Sequence, residues 1–339
     1  MKYQVEKLPI KKENSIIKKP FVFISKWRSL PVYELISYVF MFASVPMLAY
    51  GIQPYNFEII RIIILTILTM YSGFFATLIW NDISDADIDA IAHPDRPIPS
   101  GRINSKKFFR IALIFSLFNF IFAILISIWC FILVGVTALF VAFHNKYLKR
   151  IIKLPAYSEI FGPFQWIAIV LFGFLAIWTV APTNSEISIN FPFFGNIITS
   201  YKVINQMILL ILFTYFADTS HDIAEGIHDA EADLAHGVKT YATTFGKEKA
   251  AKISLIMFVI SGIFGIIMFL ESILSPIFLC IFLLFFLYTI FYPLKLLKSK
   301  KEKIEKQGFI VGRKLYDYFL FTFDILFIGL IIQNFIFNI

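Results

Sequence analysis

This 339-residue chain has little cysteine and little charge. Its 2 cysteines, Cys130 and Cys280, fall inside long apolar runs with no partner at metal-ligand spacing. That excludes a disulfide framework, a thiolate metal centre and redox chemistry, and leaves two buried apolar thiols. Charged residues make up 16% of the chain against 58% hydrophobic, with 41 Phe and a mean hydropathy of +0.76. Such a balance excludes an ordinary soluble domain, and the apolar runs are long enough to cross a bilayer. No cleavable leader is expected either. The first 30 residues are Lys-rich, contain Glu6 and Glu13, and have no apolar stretch with a cleavage site ahead of Pro31. They read as a basic arm lying near anionic head groups, residues 1–30, before a single intramembrane domain, residues 31–339.

What is present is a series of long apolar runs. They predict nine helices, near 31–51, 59–80, 108–127, 129–145, 155–180, 204–224, 253–270, 274–293 and 316–337, an all-α multi-pass membrane bundle. Basic residues set its orientation. The segment to residue 30 holds eight, the loop after the second helix five, residues 146–153 four, residues 239–252 four and residues 295–314 eight; these alternate segments carry 29 of the chain's 31 Lys and Arg. Only Arg61 and Lys202 lie on the other side. The positive-inside rule then makes the N-terminus and the motif-bearing loops cytoplasmic, in what is expected to be the plasma membrane. A net charge of +8 is accounted for by topology and calls for no nucleic acid.

Two acidic clusters stand where apolar helices run out on that side: Asn81-Asp82-Ile83-Ser84-Asp85-Ala86-Asp87-Ile88-Asp89, and Asp222, Asp229 and Asp233. At about 100° per residue, Asn81, Asp82, Asp85 and Asp89 share one helical face and Asp87 points away. By the same count Asp218, Asp222, Glu225, Asp229 and Asp233 form one stripe, Glu231 points to the far side, and His221 and His228 lie about 100° and 120° off it. Carboxylates stacked this closely need counter-charge, protonation or a metal. Oxygen-only donors favour a hard cation, Mg²⁺ foremost, and two stripes could hold two ions with coordination left over for a substrate diphosphate.

Three rival readings stand beside that one. The acids are merely solvated, though their restriction to two faces argues otherwise. They line a cation pathway in a transporter, though they sit at one membrane edge rather than mid-span. Or the chain is a phosphoalcohol transferase of the CDP-alcohol type, whose compact motif continues into Gly and Ala-Arg, as neither cluster does here. Downstream, His93-Pro94-Asp95-Arg96-Pro97-Ile98-Pro99-Ser100-Gly101-Arg102 carries three prolines in ten residues. It must be a shaped loop, one that could return Arg96 and Arg102 towards the acids. Arg28, just before the first helix, is a candidate for holding an anionic acceptor, in competition with a topological role. Tyr157, Ser158 and Glu159 start the fifth helix, where contact with substrate competes with the preferred reading of a helix cap.

The first cluster resembles the Asn-Asp-x-x-Asp-x-x-x-Asp motif of the UbiA superfamily of intramembrane prenyltransferases, and the loop from Arg96 to Arg102 is similar to the one that trails it. Asp222, Asp229 and Asp233, followed by Gly237-Val238-Lys239-Thr240 and Phe245-Gly246, resemble the second Asp-rich motif. Leu148-Lys149-Arg150 resembles the end of the family's Tyr-Ser-x-x-Leu-Lys segment, with His144-Asn145 standing where its Tyr-Ser would be. Nine helices with motifs after the second and sixth extend the likeness over nearly the whole chain. The resemblance implies that Asn81 and Asp85 bind one Mg²⁺ with Asp82 and Asp89 in support, and that Asp222, Asp229 and Asp233 bind a second. It gives Lys149 and Arg96 to catalysis at the diphosphate, with Arg102 and Arg150 as further substrate contacts. The implied reaction transfers a prenyl group from a polyprenyl diphosphate to a lipophilic or aromatic acceptor. A glycerol phosphate ether lipid taking a geranylgeranyl group leads, and an aromatic acid or quinone precursor is the alternative. One departure is that His221-Asp222 and Glu225-Gly226 stand where ether-lipid relatives often carry Arg-Glu and Lys-Asp pairs.

Overall fold

A computed structural model describes residues 31–183 and 186–337, so Arg28 and the basic arm lie outside the described residues. Pro31 starts helix α1 (Val32–Tyr50), which ends at Gly51. Helix α2 (Phe57–Ser84) begins under the Asn56 side chain, which accepts the Ile59 N–H and so satisfies one of the first-turn donors. After the short α3 (Ala86–Ala92) and the proline loop, α4 (Ser105–Ile126) and α5 (Ile128–Phe143) are separated by one residue, Ser127. Ser127 is extended, and its hydroxyl accepts the Cys130 N–H at 3.2 Å and a hydrogen bond from Thr179 at 3.0 Å, so it caps α5 and ties the corner to its neighbour. A π turn (His144–Leu148) and one further turn (Lys149–Ile151) prolong α5.

The chain continues through α6 (Tyr157–Phe161) and α7 (Phe164–Val180), then α8 (Tyr201–Ala235), α9 (Tyr241–Phe245) and α10 (Lys247–Glu271). It closes with α11 (Pro276–Thr289), α12 (Phe291–Leu297) and α13 (Ile304–Phe337). The break at Ile290 follows from Pro293, whose ring clashes with the carbonyl four residues back. Taken with these continuations, nine helices among the described residues are long and apolar enough to span a membrane. The chain is a multi-pass membrane protein.

Two features differ from the expectation. Between α7 and α8 an antiparallel hairpin forms, β1 (Ile187–Phe191) with β2 (Gly195–Thr199), in register Ile187 to Thr199 and Phe191 to Gly195. Ile187, Ile189 and Phe191 alternate with polar residues as a strand's do, Ile189 staying exposed, and Phe191 packs on Trp129 at 4.5 Å between ring centres. Helix ends also overshoot the apolar runs. At 1.5 Å per residue, α8 is about 52 Å long and α13 about 51 Å, against a hydrocarbon core of about 30 Å. Antiparallel alternation puts the overshoots of α2, α8 and α13 on the same face, the one rich in Lys and Arg.

The core lies where α1, α8, α10, α11 and α13 meet. Tyr38, Phe42, Phe213, Phe258, Phe278, Phe282, Tyr318 and Phe319 are all buried to 1% exposure or less, in edge-to-face and stacked pairs such as Phe258 with Tyr318 at 4.8 Å. Apolar residues on the outer faces of α4 and α11, Leu113, Leu117, Ile124 and Leu284 among them, stay exposed, as a lipid-facing surface requires. Helix α13 lies against α8 backbone to backbone. A Cβ on Gly312 would meet the Glu225 backbone N at 3.0 Å, so a side chain there would force the two helices apart.

Candidate active site

Helix α2 stops at Ser84, whose hydroxyl turns back to bond the Trp80 carbonyl at 2.7 Å, and the chain restarts as α3 at Ala86. Asn81 through Asp89 is therefore not one continuous helical face, as the angular reading has it, but two segments hinged at Asp85. The hinge turns Asp85 towards Lys149, whose ammonium reaches both carboxylate oxygens at 2.6 and 2.7 Å. Asn81 accepts a hydrogen bond from Asn145 at 2.5 Å. The π turn explains why these two partners arrive together: one extra residue in the turn rotates α5, and Asn145 and Lys149, four apart, both face the motif.

Asp82 is buried below the hinge. Asp89, 3% exposed, bonds the Arg96 guanidinium at 2.6 Å while its second oxygen is buried without a hydrogen-bond partner among the described residues. Burial pushes the Asp89 carboxyl up despite the opposing pull of Arg96. Burial also works against the charge on Arg96, but the Asp89 carboxylate outweighs it and holds the guanidinium above its ordinary value. Asp87 points outward, half exposed, and takes a two-pronged contact from Arg150 at 2.9 and 3.0 Å that holds its carboxyl below the usual range.

Helix α8 brings the second cluster to the same place. His93, from the proline loop, hydrogen-bonds Asp229 Oδ2 through its Nε2 atom at 3.4 Å, and that bond raises the ring above its ordinary value. The second oxygen pair of the stripe, on Asp233, lies within electrostatic reach of Asp229, Lys149, Asp85 and His93. The two motifs thus converge on Asp85, Lys149, Asp229 and Asp233. Asp222 does not join them. Its charged neighbours are Asp218, His221 and Glu225, two turns further into the helix bundle.

The basic residues divide in the same way. Lys149 and Arg96 reach the acids directly. Arg150 spans from Asp87 to the edge of Asp85 at 3.8 Å. Arg102 does not return to the acids: it is exposed and braces its own loop, bonding the Ser100 hydroxyl at 3.0 Å and the Asp95 carbonyl. Glu231 is exposed on the far side of α8.

Three groups belong to this region that the sequence reading set aside. Glu159 is buried rather than a solvent-side residue of a capped helix start; one oxygen accepts the Tyr241 N–H and the other has no partner. A Cβ on Gly226 would sit 2.6 Å from that free oxygen, so Gly226 is what admits Glu159 against α8. Ser158 N–H bonds the Lys239 carbonyl at 3.0 Å, lacing the same segment to the loop after the second motif. Asn145 was hidden because it replaces an expected hydroxyl. His221, placed off the acidic stripe by its backbone angle, nonetheless sets its Nε2 atom 3.2 Å from both Asp218 and Asp222. Residues three apart on a helix are neighbours, and an imidazole is long enough to swing across the offset.

Seven oxygen-donor side chains, Asn81, Asp82, Asp85, Asp89, Asp229, Asp233 and the more remote Asp222, face a few cations. The orphaned buried oxygens of Asp89 and Asp229 mark where positive charge is wanted. An all-oxygen set with unsatisfied lone pairs fits a hard divalent cation such as Mg²⁺.

Residues 38–320 match the sequence profile of the UbiA prenyltransferase family. The chain is 29% identical over 181 residues to the digeranylgeranylglyceryl phosphate synthase of Saccharolobus solfataricus, covering 53% of this chain and 55% of that protein. It is 32% identical over 201 residues to the synthase of the same name from Methanothrix thermoacetophila (58% and 61%), and 27% over 268 to that of Methanosphaera stadtmanae (78% and 86%). The match thus spans little more than half the length of the first of these relatives. Among solved structures, a UbiA homologue from Aeropyrum pernix K1 superposes with a TM-score of 0.64 at 16% identity, covering 90% of this chain and 99% of that one. A UbiA homologue from Archaeoglobus fulgidus bound to GPP and Mg²⁺ gives 0.52 at 16% identity, covering 85% and 96%. These two share the fold.

Proposed function

The chain belongs to the UbiA prenyltransferase family, and from that premise we propose that it transfers a prenyl group from a polyprenyl diphosphate to a lipophilic acceptor, geranylgeranyl transfer to a glycerol phosphate ether lipid being the preferred reaction. The observation that carries the reading is the convergence of Asp85, Lys149, Asp229 and Asp233 from three separate helices at one membrane face. The acceptor class rests on the three relatives named above, all digeranylgeranylglyceryl phosphate synthases.

In this reading Asn81 and Asp85, supported by Asp82 and Asp89, would hold one Mg²⁺, and Asp229 and Asp233, with Asp222 further off, would hold a second. Bound Mg²⁺ supplies positive charge that stabilises the departing diphosphate. Lys149, which pairs with Asp85 in the structure, would donate its ammonium to the diphosphate oxygens where a cation serves that carboxylate, and Arg96 and Arg150 would add positive charge beside it. These donors act where negative charge grows as the allylic C–O bond breaks and its electron pair leaves with the diphosphate. The acceptor oxygen then bonds the allylic carbon and gives up its proton to the departed diphosphate, so that pyrophosphate is the by-product.

The domain and membrane assignments belong to the same proposal. Residues 1–30 serve as a basic arm carrying Arg28 towards an anionic acceptor, and residues 31–339 form the one catalytic domain. Arg102 contributes to the positive potential of the loop. The site faces the cytoplasm from the plasma membrane, supported by 29 of 31 basic residues on that side. Purified protein in lipid, given geranylgeranyl diphosphate and a panel of glycerol phosphate and aromatic acceptors, is expected to release pyrophosphate only with Mg²⁺ and a glycerol phosphate ether lipid. Release with an aromatic acid instead would move the acceptor assignment, and ion flux without any release would overturn the enzyme reading.

A further inference from the structure

We infer that Asp218, His221 and Asp222 form a second metal site, one for a borderline divalent transition metal such as Zn²⁺, Mn²⁺ or Co²⁺. It lies on α8 roughly 10 Å along the helix axis from Asp229, at seven residues and 1.5 Å each. The three residues offer ligand atoms that all lie within 4.8 Å of one another. His221 Nε2 is 3.2 Å from Asp218 Oδ1 and 3.2 Å from Asp222 Oδ1. A cation bound at about 2.1 Å by nitrogen and oxygen donors holds neighbouring ligand atoms roughly 3.0–3.4 Å apart, which is the separation of His221 from each of the two acids.

Hydrogen bonding inside the cluster leaves the site incomplete. Nε2 carries one proton and cannot serve two carboxylates. Asp218 Oδ1, on a residue 1% exposed, has the 3.2 Å approach of His221 Nε2 but no geometrically sound hydrogen bond among the described residues. Nearby charge does not cure the deficit. Arg313, within electrostatic reach of Glu225, is already paired with the buried Glu34. Glu159 adds a further acid, lying within electrostatic reach of Asp222. Gly162 lies close by: a Cβ there would sit 3.2 Å from the second oxygen of Asp222, so a side chain at 162 would crowd it.

Donor chemistry separates this site from the one at the motif hinge. One imidazole with two carboxylates favours a borderline transition metal, whereas the oxygen-only set around Asp85 and Asp229 favours Mg²⁺. Three protein ligands also leave open coordination positions. The ring of Tyr316 lies beside the cluster, its centre 4.7 Å from that of His221.

The test is Mn²⁺ binding to the full-length protein in lipid nanodiscs with Mg²⁺ in large excess, read by pulsed electron paramagnetic resonance for nitrogen coupling from imidazole. One Mn²⁺ with nitrogen coupling is expected. His221→Gln should abolish the coupling and weaken Mn²⁺ binding at least tenfold, and Asp229→Asn should leave both. Asp218→Asn serves as the second variant where His221→Gln does not purify folded, with the same tenfold weakening expected. Bound Mn²⁺ without nitrogen coupling, coupling that survives His221→Gln, or no binding in excess Mg²⁺ would each overturn the site. Because the readout needs no turnover, its failure would leave the prenyl-transfer reading untouched.

Discussion

Replacing Lys149 by Met keeps the length of the side chain and removes its charge, which separates two roles of one ammonium. In the structure the pair with Asp85 is well shielded, the side chains being 11% and 16% exposed. Breaking a buried ion pair from one side leaves an uncompensated charge and costs about 3–5 kcal/mol. Arg150, 3.8 Å from Asp85, remains as a partial replacement, so the expected cost is the lower end, about 3 kcal/mol. That loss should be large in thermal unfolding without Mg²⁺ and should shrink as Mg²⁺ is added, because a cation at Asp85 replaces the missing ammonium. Activity should behave oppositely. Removing one donor aimed at developing negative charge costs about 10²–10³ in kcat, and added Mg²⁺ should not restore it. The assay is paired melting curves and pyrophosphate release over a Mg²⁺ titration. Full activity of Lys149→Met, or a stability loss indifferent to Mg²⁺, would refute the dual role.

Other positions give sharper contrasts. Gly226→Ala drives a methyl group into the Glu159 oxygen and should cost about 1–3 kcal/mol in thermal unfolding, the usual penalty of overpacking; an unchanged melt would show that Glu159 is not held there. Asp87→Ala should leave prenyl transfer within about twofold and stability within about 1 kcal/mol, since an exposed pair is weak. As Arg150 lowers the Asp87 pKa, the small contribution of that pair is present at neutral pH and fades as pH falls through the depressed value, so the variant should differ from the parent near neutrality and converge with it in acid. Ser127→Ala removes the cap at the one-residue corner and should lower stability by about 1 kcal/mol; no loss would mean the corner is held by packing alone.

Much of this architecture is legible in the residues. The nine spans follow from hydropathy because each must fill the same hydrocarbon thickness, and both acidic motifs stand where their helices leave it. Helix ends are less legible for the same reason: beyond the apolar run nothing in hydropathy distinguishes a continuing helix from a loop, so the last turns of α8 and the first of α13 were invisible. The hairpin at Ile187–Thr199 was lost because its alternation is short and lies between two stronger signals. Angular reasoning on Asn81–Asp89 treats the helix as unbroken, whereas a single hydroxyl, on Ser84, bonds back to Trp80 where the helix ends. His221 shows the opposite limit. Backbone angle places a Cα, and a ring side chain can close the remaining distance to Asp218 and Asp222.

Helix α13 packs its Gly312 against the Glu225 backbone of α8 while its Arg313 pairs with Glu34 of α1. Helix α13 is therefore a clasp that fastens α1 to α8. Without it Glu34 loses the Arg313 counter-ion and the α8 backbone around Glu225 loses its close neighbour. A chain cut before residue 304 loses both contacts at once, so it should reach the membrane with α1 and α8 unfastened and be degraded faster than the full chain.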